Sequence, residues 1–448
     1  MSIHRVFLVP SILRLICSAI VIMLMVLPAQ AISLLRDADL EHGLKQLASP
    51  VLRAAGLNPN RVKVLIVDDP NLNAFVVSQD AIFIHSGLIT KLETASQLQG
   101  VIAHEAAHIA NGHLTRRLTN LGVARTATGL GIALAAIAAA AGGADVAGPI
   151  AIGSASSAQR LFLKHTRAEE ASADQSAARY MRSSGVNPGS LAEVMEIFSG
   201  QDALSEASQD PYVRSHPLTR DRLRALRAYA ATVEATPENP QAAYWFARTK
   251  GKLNAYKRPK WVLRRLKDTS YKDLSAMGEA VALHQQSRTK KALAAVDRAI
   301  ASRPTDPFFH DLKGEILIES RNFRPAVAAY ARAVQLAPRD ALILSGYGRA
   351  LLANGETKKA LNALEKSNSI DYRDGSMLRD LSVAYAKSGQ PGMAALAIAE
   401  QRALRGQIQD AAIHAKRASD LLPRGSGPWQ RAQDVLNAAE RFAKQRKR

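Results

Sequence analysis

A spacing of 34 residues recurs across the second half of the chain and constrains its fold more than any other feature. One row of this spacing consists of alanines: Ala292, Ala326, Ala360 and Ala394. A second row holds larger apolar residues: Val296, Tyr330, Leu364 and Ile398. Gly314 and Gly348 are in phase with them, as are Leu317, Leu351 and Tyr385. Several rows in one register predict stacked helical pairs from 273 to 406, with capping helices on either side.

This pattern resembles tetratricopeptide repeats, so an all-α solenoid is expected over residues 236–448. Charge divides the chain at the same place. Residues 32–235 carry 19 basic and 19 acidic side chains, whereas residues 236–448 carry 38 basic and 20 acidic ones. The asymmetry predicts two domains with different tasks. The second either faces an anionic partner, with a basic concave groove, or is simply kept soluble by its charge. Lipid headgroups, lipopolysaccharide and a subunit of an assembly machine remain alternatives for that partner.

The N-terminus has the pattern of an export signal. Arg14 precedes an apolar run at 15–27, and Ala29-Gln30-Ala31 has the small-x-small form of a cleavage site. The run is shorter than the roughly 20 residues of a membrane span. We therefore predict a signal peptide at 1–31, cleaved after Ala31, and a periplasmic protein without nucleic-acid partners; an uncleaved anchor is the alternative. The single cysteine, Cys17, lies in this run, so the mature chain has no disulfide.

Residues 32–235 are predicted to form an α+β domain with a small sheet, so the chain as a whole is mainly α. Helices are expected at 36–56, 93–117, 160–183, 189–200 and from about 218. Strands are expected at 61–67, 74–77 and 81–84, the last two forming a hairpin that turns at Ser78-Gln79-Asp80. Residues 210–216 are expected to form a loop.

Residues 126–144 carry no charge and are mostly Ala and Gly, and apart from Asp145 the uncharged stretch continues to residue 159. The few large aliphatic residues argue against a membrane span. The stretch is either an Ala-rich helical hairpin or loop on the protein, or a segment that contacts a membrane surface or covers a cleft.

The motif His104-Glu105-Ala106-Ala107-His108 lies on the helix predicted at 93–117. Histidines four residues apart share one face of a helix and can direct ring nitrogens at the same metal ion. Glu105, next to the first histidine, is placed to take a proton from a metal-bound water. Zinc suits this chemistry because it lowers the pKa of bound water to about 7 and polarises a carbonyl.

A catalytic zinc site needs a third protein ligand. The candidates are His113, His165, Glu169 and Glu170. On a continuous helix His113 would lie about 140° away from His108 and would point away from the metal. Asp174 follows Glu170 by four residues and can orient the ligands from behind. Spacing alone leaves the choice between Glu169 and Glu170 open.

The two motifs together, His104-Glu105-Ala106-Ala107-His108 and Glu170-Ala171-Ser172-Ala173-Asp174, resemble the Glu-zincin metallopeptidases of the Oma/BepA type over residues 36–230. The resemblance implies that Glu170 is the third zinc ligand. It also implies that the hairpin from Asn73 to Leu88 pairs an edge strand with substrate, and we assign this pairing to Ala81, Ile82, Phe83 and Ile84. The turn at Ser78-Gln79-Asp80 departs from that family, where glycine is usual.

His216-Pro217, followed by Arg222, is similar to a later motif of this family. Either His216 fills the open position on zinc until a loop moves, or it is a loop histidine that only packs or caps. Arg222 either stabilises the charge of the tetrahedral intermediate or pairs with an acidic residue.

The resemblance, the repeats and the signal peptide together predict a periplasmic zinc endopeptidase with one Zn²⁺ per chain. Its expected clients are unfolded or misassembled outer-membrane proteins, and its expected partners include their assembly machinery. Peripheral membrane contact stays open. The alternative is a repeat-based chaperone or scaffold whose protease activity is latent or secondary.

Overall fold

The computed structural model of the chain describes residues 33–120, 166–201, 204–205, 208–234, 236–268 and 270–446. The predicted signal peptide at 1–31 lies outside these residues, as do the uncharged segment at 126–159 and His165. None of the helices in the described ranges is both long and apolar enough to span a bilayer.

The first part of the chain is built around one buried helix. Its helices are α1 (Ala38–Ala54), α2 (Ser86–Lys91), α3 (Ala95–Ala110), α4 (His113–Asn120), α5 (Arg167–Ser183), α6 (Gly189–Ile197), α7 (Pro211–Ser215) and α8 (Arg220–Ala231). Every residue of α3 from Ala95 to Ile109 is buried, and α3 packs against α1, α5 and α6 and against the sheet. Polar side chains on α3 are therefore shielded from water on every side.

Two of the predicted boundaries are wrong. The helix expected at 93–117 is interrupted, because Gly112 has a φ of +69° that a regular helix cannot contain, and α4 starts in a new direction at His113. The loop expected at 210–216 contains α7. Pro211 begins this short helix at a first-turn position, where its missing N–H removes no helical hydrogen bond.

The sheet has four strands: β1 (Leu34–Leu35), β2 (Lys63–Val67), β3 (Ala74–Ser78) and β4 (Ala81–His85). Their order is β1-β2-β4-β3, with β2 parallel to β4 and the other neighbours antiparallel. The prediction that residues 81–84 form the edge strand is therefore wrong. Ala81, Ile82, Phe83 and Ile84 pair with β2 on one side and with β3 on the other, so both of their hydrogen-bonding edges are used.

Among the described strands, β3 is the edge on the side of α3. The backbone N–H of His85 donates to the carbonyl of Asn73, so main-chain groups point towards β4 at Asn73 and away from it at Ala74. By the same alternation, the groups of Val76 also point outwards. An added strand would meet β3 at these two residues.

Among its described residues, the second part of the chain forms helices and no strands, as the 34-residue spacing predicted. These are α9 (Pro240–Lys257), α10 (Pro259–Arg264), α11 (Lys272–His284), α12 (Thr289–Ser302), α13 (Pro307–Glu319), α14 (Phe323–Leu336), α15 (Ala341–Ala353), α16 (Thr357–Ile370), α17 (Gly375–Lys387), α18 (Pro391–Leu404), α19 (Ile408–Leu421) and α20 (Gly427–Arg446). A 3₁₀ turn at Leu266–Asp268 precedes α11. From α11 onwards the helices pack in consecutive pairs, which confirms the mainly α fold class with a repeat solenoid.

Small and large residues meet between the paired helices in the predicted way. A Cβ atom on Gly314 would lie 2.5 Å from Cδ2 of Tyr330, and one on Gly348 would lie 2.5 Å from Cγ of Leu364. The turn inside each pair also repeats, since Ser287, Arg321, Gly355 and Gly389 all have positive φ values and are 34 residues apart. The periodicity thus specifies helix contacts and turn geometry together.

Helix α9 joins the two parts. Its residues Phe246 and Leu253 belong to the apolar core of the first part, while Tyr244 and Ala255 belong to the core of the first repeats. Arg248 on the same helix forms a buried ion pair with Asp39 of α1 at 2.6 Å. The domain boundary at 235/236 remains a prediction, and α9 shares contacts with both sides of it.

Candidate metal centre

Helix α3 presents both histidines of the His104–His108 motif to one buried point. Thr94 caps the helix by accepting a hydrogen bond from the backbone N–H of Gln97 at 3.2 Å. One turn apart, His104 and His108 bring their Nε2 atoms to 3.1 Å from each other, and neither side chain reaches solvent. Two imidazole nitrogens at this distance require a proton or a cation between them.

Helix α5 contributes a carboxylate to the same point. Glu169 accepts a hydrogen bond from the backbone N–H of Thr166 at 3.0 Å in a capping box, so it serves the start of the helix. Glu170 is fully buried, and its carboxylate lies 3.3 Å from Nε2 of His108 and 3.4 Å from Nε2 of His104. Of these two neighbours, Glu170 faces the histidines.

His216, at the end of α7, completes a group of four. Its Nδ1 lies 3.3 Å from Nε2 of His104 and 3.1 Å from Oε1 of Glu170. Its Nε2 lies 3.2 Å from the carbonyl oxygen of Ala74, one of the outward-facing groups of β3. If Nε2–H donates to this carbonyl, the lone pair of Nδ1 faces His104 and Glu170.

Asp174 and Arg222 lie next to the four-residue group and contact two of its members, His104 and Glu170. Oδ1 of Asp174 lies 3.0 Å from Nδ1 of His104, which orients this ring. Arg222 donates to both carboxylate oxygens of Asp174, at 2.6 and 2.8 Å, and its Nη1 lies 2.8 Å from Oε2 of Glu170. Since its guanidinium is engaged with two carboxylates, Arg222 has the ion-pairing role, and the expected role as a catalytic residue at the tetrahedral intermediate does not fit this geometry.

Glu105 projects into the same interior. Neither of its carboxylate oxygens has a hydrogen-bond partner among the described residues, and Nε2 of His216 lies 3.4 Å from Oε1. A buried carboxylate without a hydrogen bond is costly, and its contact with His216 is long, so this position can receive a group that arrives with the reaction, such as water.

Burial and neighbouring charges set the pKa values in this interior. Burial lowers the pKa of His104, but the adjacent Glu170 and Asp174 outweigh it and raise that pKa to about 10. Burial lowers the pKa of His108 and raises that of Glu105. For Glu170, burial acts upwards, yet His216, Arg222 and His104 hold its pKa well below the usual range. The carboxylate of Glu170 therefore stays deprotonated, as a metal ligand must be.

His113 was expected to point away from this group, and that prediction is wrong. Because the chain turns at Gly112, the buried His113 returns towards α3, and its Nδ1 lies 2.9 Å from Nδ1 of His108. The pair Asn111-Gly112, a common turn signal, is the sequence feature that indicates this break. His113 contacts a candidate ligand and does not itself join the four-residue group.

The donor set fits a divalent metal. One ligand atom each from His104, His108, Glu170 and His216 lie within 4.8 Å of one another, and all four residues are buried. Imidazole and carboxylate are common zinc donors, and three protein ligands that leave one exchangeable position are typical of a catalytic zinc. The carboxylate of Glu105, which has no hydrogen bond among the described residues, lies beside them and is the second feature that such a site requires.

Comparison with known proteins agrees with this geometry. Residues 35–230 match the model of Peptidase family M48. A beta-barrel assembly-enhancing protease of Yersinia pestis is 26% identical over 262 residues, which cover 56% of this chain and 52% of that protein. Metalloprotease LoiP of Escherichia coli K12 is 28% identical over 176 residues, covering 38% of this chain and 62% of LoiP.

The chain spans about half the length of the beta-barrel assembly-enhancing proteases that it matches. Among solved structures, MamA from Desulfovibrio magneticus RS-1 is 19% identical and covers 36% of this chain and 93% of its own, with a TM-score of 0.32.

Proposed function

We propose that this protein is a zinc-dependent endopeptidase whose repeats bind partners. The observation that carries the proposal is the convergence of His104, His108 and Glu170, buried and from two helices. Beside them lies the buried carboxylate of Glu105, which has no hydrogen bond among the described residues. The match of residues 35–230 to Peptidase family M48 supports the same reaction class.

His104, His108 and Glu170 would hold one zinc ion per chain, which supplies an acidified water and polarises the scissile carbonyl. Glu105 takes the proton from the attacking water and delivers it to the leaving amine nitrogen. Burial raises the pKa of Glu105 in the direction of neutral pH, and a group whose pKa is nearer the working pH is a more effective acid and base. Asp174 orients His104, while His113 accepts a hydrogen bond from Nδ1–H of His108 and fixes that ring.

An extended substrate would pair with β3 through the outward-facing main-chain groups of Ala74 and Val76. Pairing through the backbone reads little of the sequence and suits unfolded clients. The imidazole of His216 lies within hydrogen-bond distance of the carbonyl oxygen of Ala74 and also contacts the carboxylates of Glu170 and Glu105. In this closed state, His216 therefore blocks both the substrate strand and the exchangeable metal position.

Movement of His216 would open both positions at once. We expect His216→Ala to raise basal cleavage, including self-cleavage, while the protein keeps its zinc. Ser215→Ala is the matched control. The hydroxyl of Ser215 donates to the carbonyls of Pro211 and Tyr212 within α7, and its contact outside the helix, with Oδ1 of Asn73, is long at 3.5 Å. A His216→Ala protein with zinc bound and unchanged cleavage would contradict the gate.

The names of the relatives from Yersinia pestis and Escherichia coli point to outer-membrane protein assembly. We propose misassembled outer-membrane proteins as clients, their assembly machinery as the partner of the repeats, and the periplasm as the location. Cleavage of a stalled outer-membrane protein by purified wild-type protein, and no cleavage of its folded form, is the expected result.

The alternative is a repeat-based chaperone or scaffold with a latent peptidase. The contact of His216 with Glu170 favours a latent peptidase in the resting state, because it blocks the candidate metal site. Complementation of a deletion strain by Glu105→Gln separates the two functions. Full complementation would show that peptide hydrolysis is not the physiological role, whereas failure of a stable, zinc-loaded variant supports the enzyme.

The direct test combines metal analysis with proteolysis of an unfolded protein. We expect one zinc per chain, loss of cleavage on chelation and recovery on zinc addition. Glu170→Ala should lose the metal, and Glu169→Ala should keep it. The reverse result would overturn the ligand assignment.

A further inference from the structure

In the first three repeats, positive charge is concentrated on the outer layer of helices. In the first three repeats, the second helices α12, α14 and α16 carry eight Lys and Arg against two Asp and Glu. The first helices α11, α13 and α15 carry three basic and five acidic residues. The expectation of a basic concave groove is therefore wrong for these three repeats, because their two faces have opposite charge.

The inner face is already covered by the chain itself. Consecutive first helices contact one another, and α1 of the metallopeptidase domain packs against α13 and α15. Asp311 and Glu315 on α13 lie near Asp37 at the start of α1, and burial raises the pKa of both carboxyls. A large anionic partner would meet like charge and an occupied groove on this side.

Six residues of the outer layer form two rows at the repeat spacing, which we call the outer basic face. One row begins each second helix: Lys290, Arg324 and Lys358. The other lies eight residues further on: Arg298, Arg332 and Lys366. All six are exposed, and the two rows are about 12 Å apart along the helices.

Most of this charge is not neutralised within the chain. Among the described residues, Lys290, Arg324, Lys358 and Lys366 have no ion pair, while Arg298 pairs with Glu279 at 2.5 Å. The two acidic residues of these helices are already engaged, since Asp297 binds Lys313 and Glu365 accepts a hydrogen bond from Tyr385. The face is thus a repeated cationic array.

The shape of the face favours a planar partner. Between the two rows lie small exposed side chains, Ala294, Ala328 and Asn362, which let a flat surface approach both rows. No large apolar side chain is exposed on α12 or α14, whereas protein interfaces are usually anchored by buried aromatic or apolar residues.

We propose that the outer basic face binds the phosphate headgroups of an anionic lipid membrane. The orientation leaves the metallopeptidase domain, which covers the opposite face, directed away from the bilayer. The proposal does not depend on peptide hydrolysis, because vesicle binding is measured without substrate; a failed proteolysis assay and a failed binding assay are therefore separate results.

The test uses the full chain and vesicles of phosphatidylcholine with or without phosphatidylglycerol. The ratio of binding to the two vesicles cancels any contribution of the apolar run at 15–27. Lys290→Gln/Arg324→Gln/Lys358→Gln should lower this ratio about a hundredfold at low salt, because each cation near an anionic surface contributes separately. Binding of the wild type should weaken as salt rises.

The matched control removes the same charge elsewhere. Arg53→Gln/Arg61→Gln/Lys91→Gln changes three exposed cations of the metallopeptidase domain, none of which has an ion pair among the described residues. This variant should bind like the wild type. Equal loss in both variants would mean that net charge alone drives binding and would overturn the proposal. Binding of polyglutamate, but not of vesicles, through the same three residues would overturn it in favour of an acidic protein.

Discussion

The candidate metal centre and the repeats differ in what they bury: polar side chains in the first, mainly apolar side chains in the second. The candidate metal centre gathers His104, His108, Glu170 and His216 from three separate segments into a buried interior. The repeats bury apolar contacts between neighbours in sequence, such as Tyr330 against Gly314, and leave most charges outside. The candidate metal centre depends on one meeting of segments that are distant in sequence, whereas the repeats use the same packing between adjacent helices several times.

This difference teaches how each region should respond to substitution. A change in the metal centre removes a group that no other residue replaces, so the effect is large and functional. A change in one repeat affects contacts with adjacent helices only, so the effect is graded and structural. The following predictions test this contrast in order of decreasing effect.

Glu105→Gln should lower peptide hydrolysis about 10²- to 10⁴-fold, because it removes the proton-transfer group. Zinc content should stay at one per chain, since Glu105 is not among the four candidate donors. Initial rates on an unfolded substrate and metal analysis of the same sample check this. Loss of zinc in this variant would contradict the assignment of Glu105 as the proton-transfer group and not as a zinc ligand.

His113→Ala should weaken zinc binding about 10- to 100-fold, because His108 loses the acceptor that orients its ring. His113→Asn keeps an acceptor and should recover much of the affinity. Competition with a chelator measures the affinity, and the d–d spectrum of the cobalt-substituted protein reports the ligand geometry. Wild-type affinity in the alanine variant would assign His113 to packing alone.

Gly348→Ala should destabilise the repeats by up to about 3 kcal/mol, because the new Cβ would lie 2.5 Å from Cγ of Leu364. Gly278→Ala is the control of opposite sign: its Cβ would meet Val262 at an ordinary 3.6 Å, and an alanine favours the helix. Urea unfolding followed by circular dichroism compares the two. Equal stabilisation of both variants would show that helix propensity outweighs the close crossing, and equal destabilisation would show that the 2.5 Å contact is not what distinguishes Gly348.

Asp371 links the repeats to the first part of the chain, since its carboxylate lies 2.8 Å from Nη2 of Arg36 and 2.6 Å from Nζ of Lys63. Although burial acts upwards, these cations lower the pKa of Asp371 to about 2. The resulting stabilisation is present above the unfolded pKa of about 3.9 and is lost as pH falls towards 2.

Asp371→Asn should therefore cost about 1–2 kcal/mol at pH 7, allowing for the partial exposure of Lys63. The difference from wild type should shrink below pH 4 in urea unfolding. Asp268→Asn, at an exposed pair with Arg265, should change little. A pH-independent difference would attribute the effect to packing.

Local spacing was enough to predict the motif helix and the repeats. His104 and His108 are one helical turn apart, and the 34-residue rows reflect contacts between helices adjacent in sequence. The same reasoning failed for α4, where one residue, Gly112, redirects the chain. It also failed for β4, because strand order depends on pairing between β2 and β4, which are separated by β3.

By itself, the sequence determined which side chains could bind a metal and where helical pairs repeat, because both depend on periodicity within one helix or between adjacent helices. Only the tertiary structure decided that Glu170 and not Glu169 faces His108, that His113 contacts His108 and that Ala74 lies under His216. It also decided which face of the repeats is basic. These outcomes depend on contacts between segments distant in sequence, where no local period constrains the arrangement.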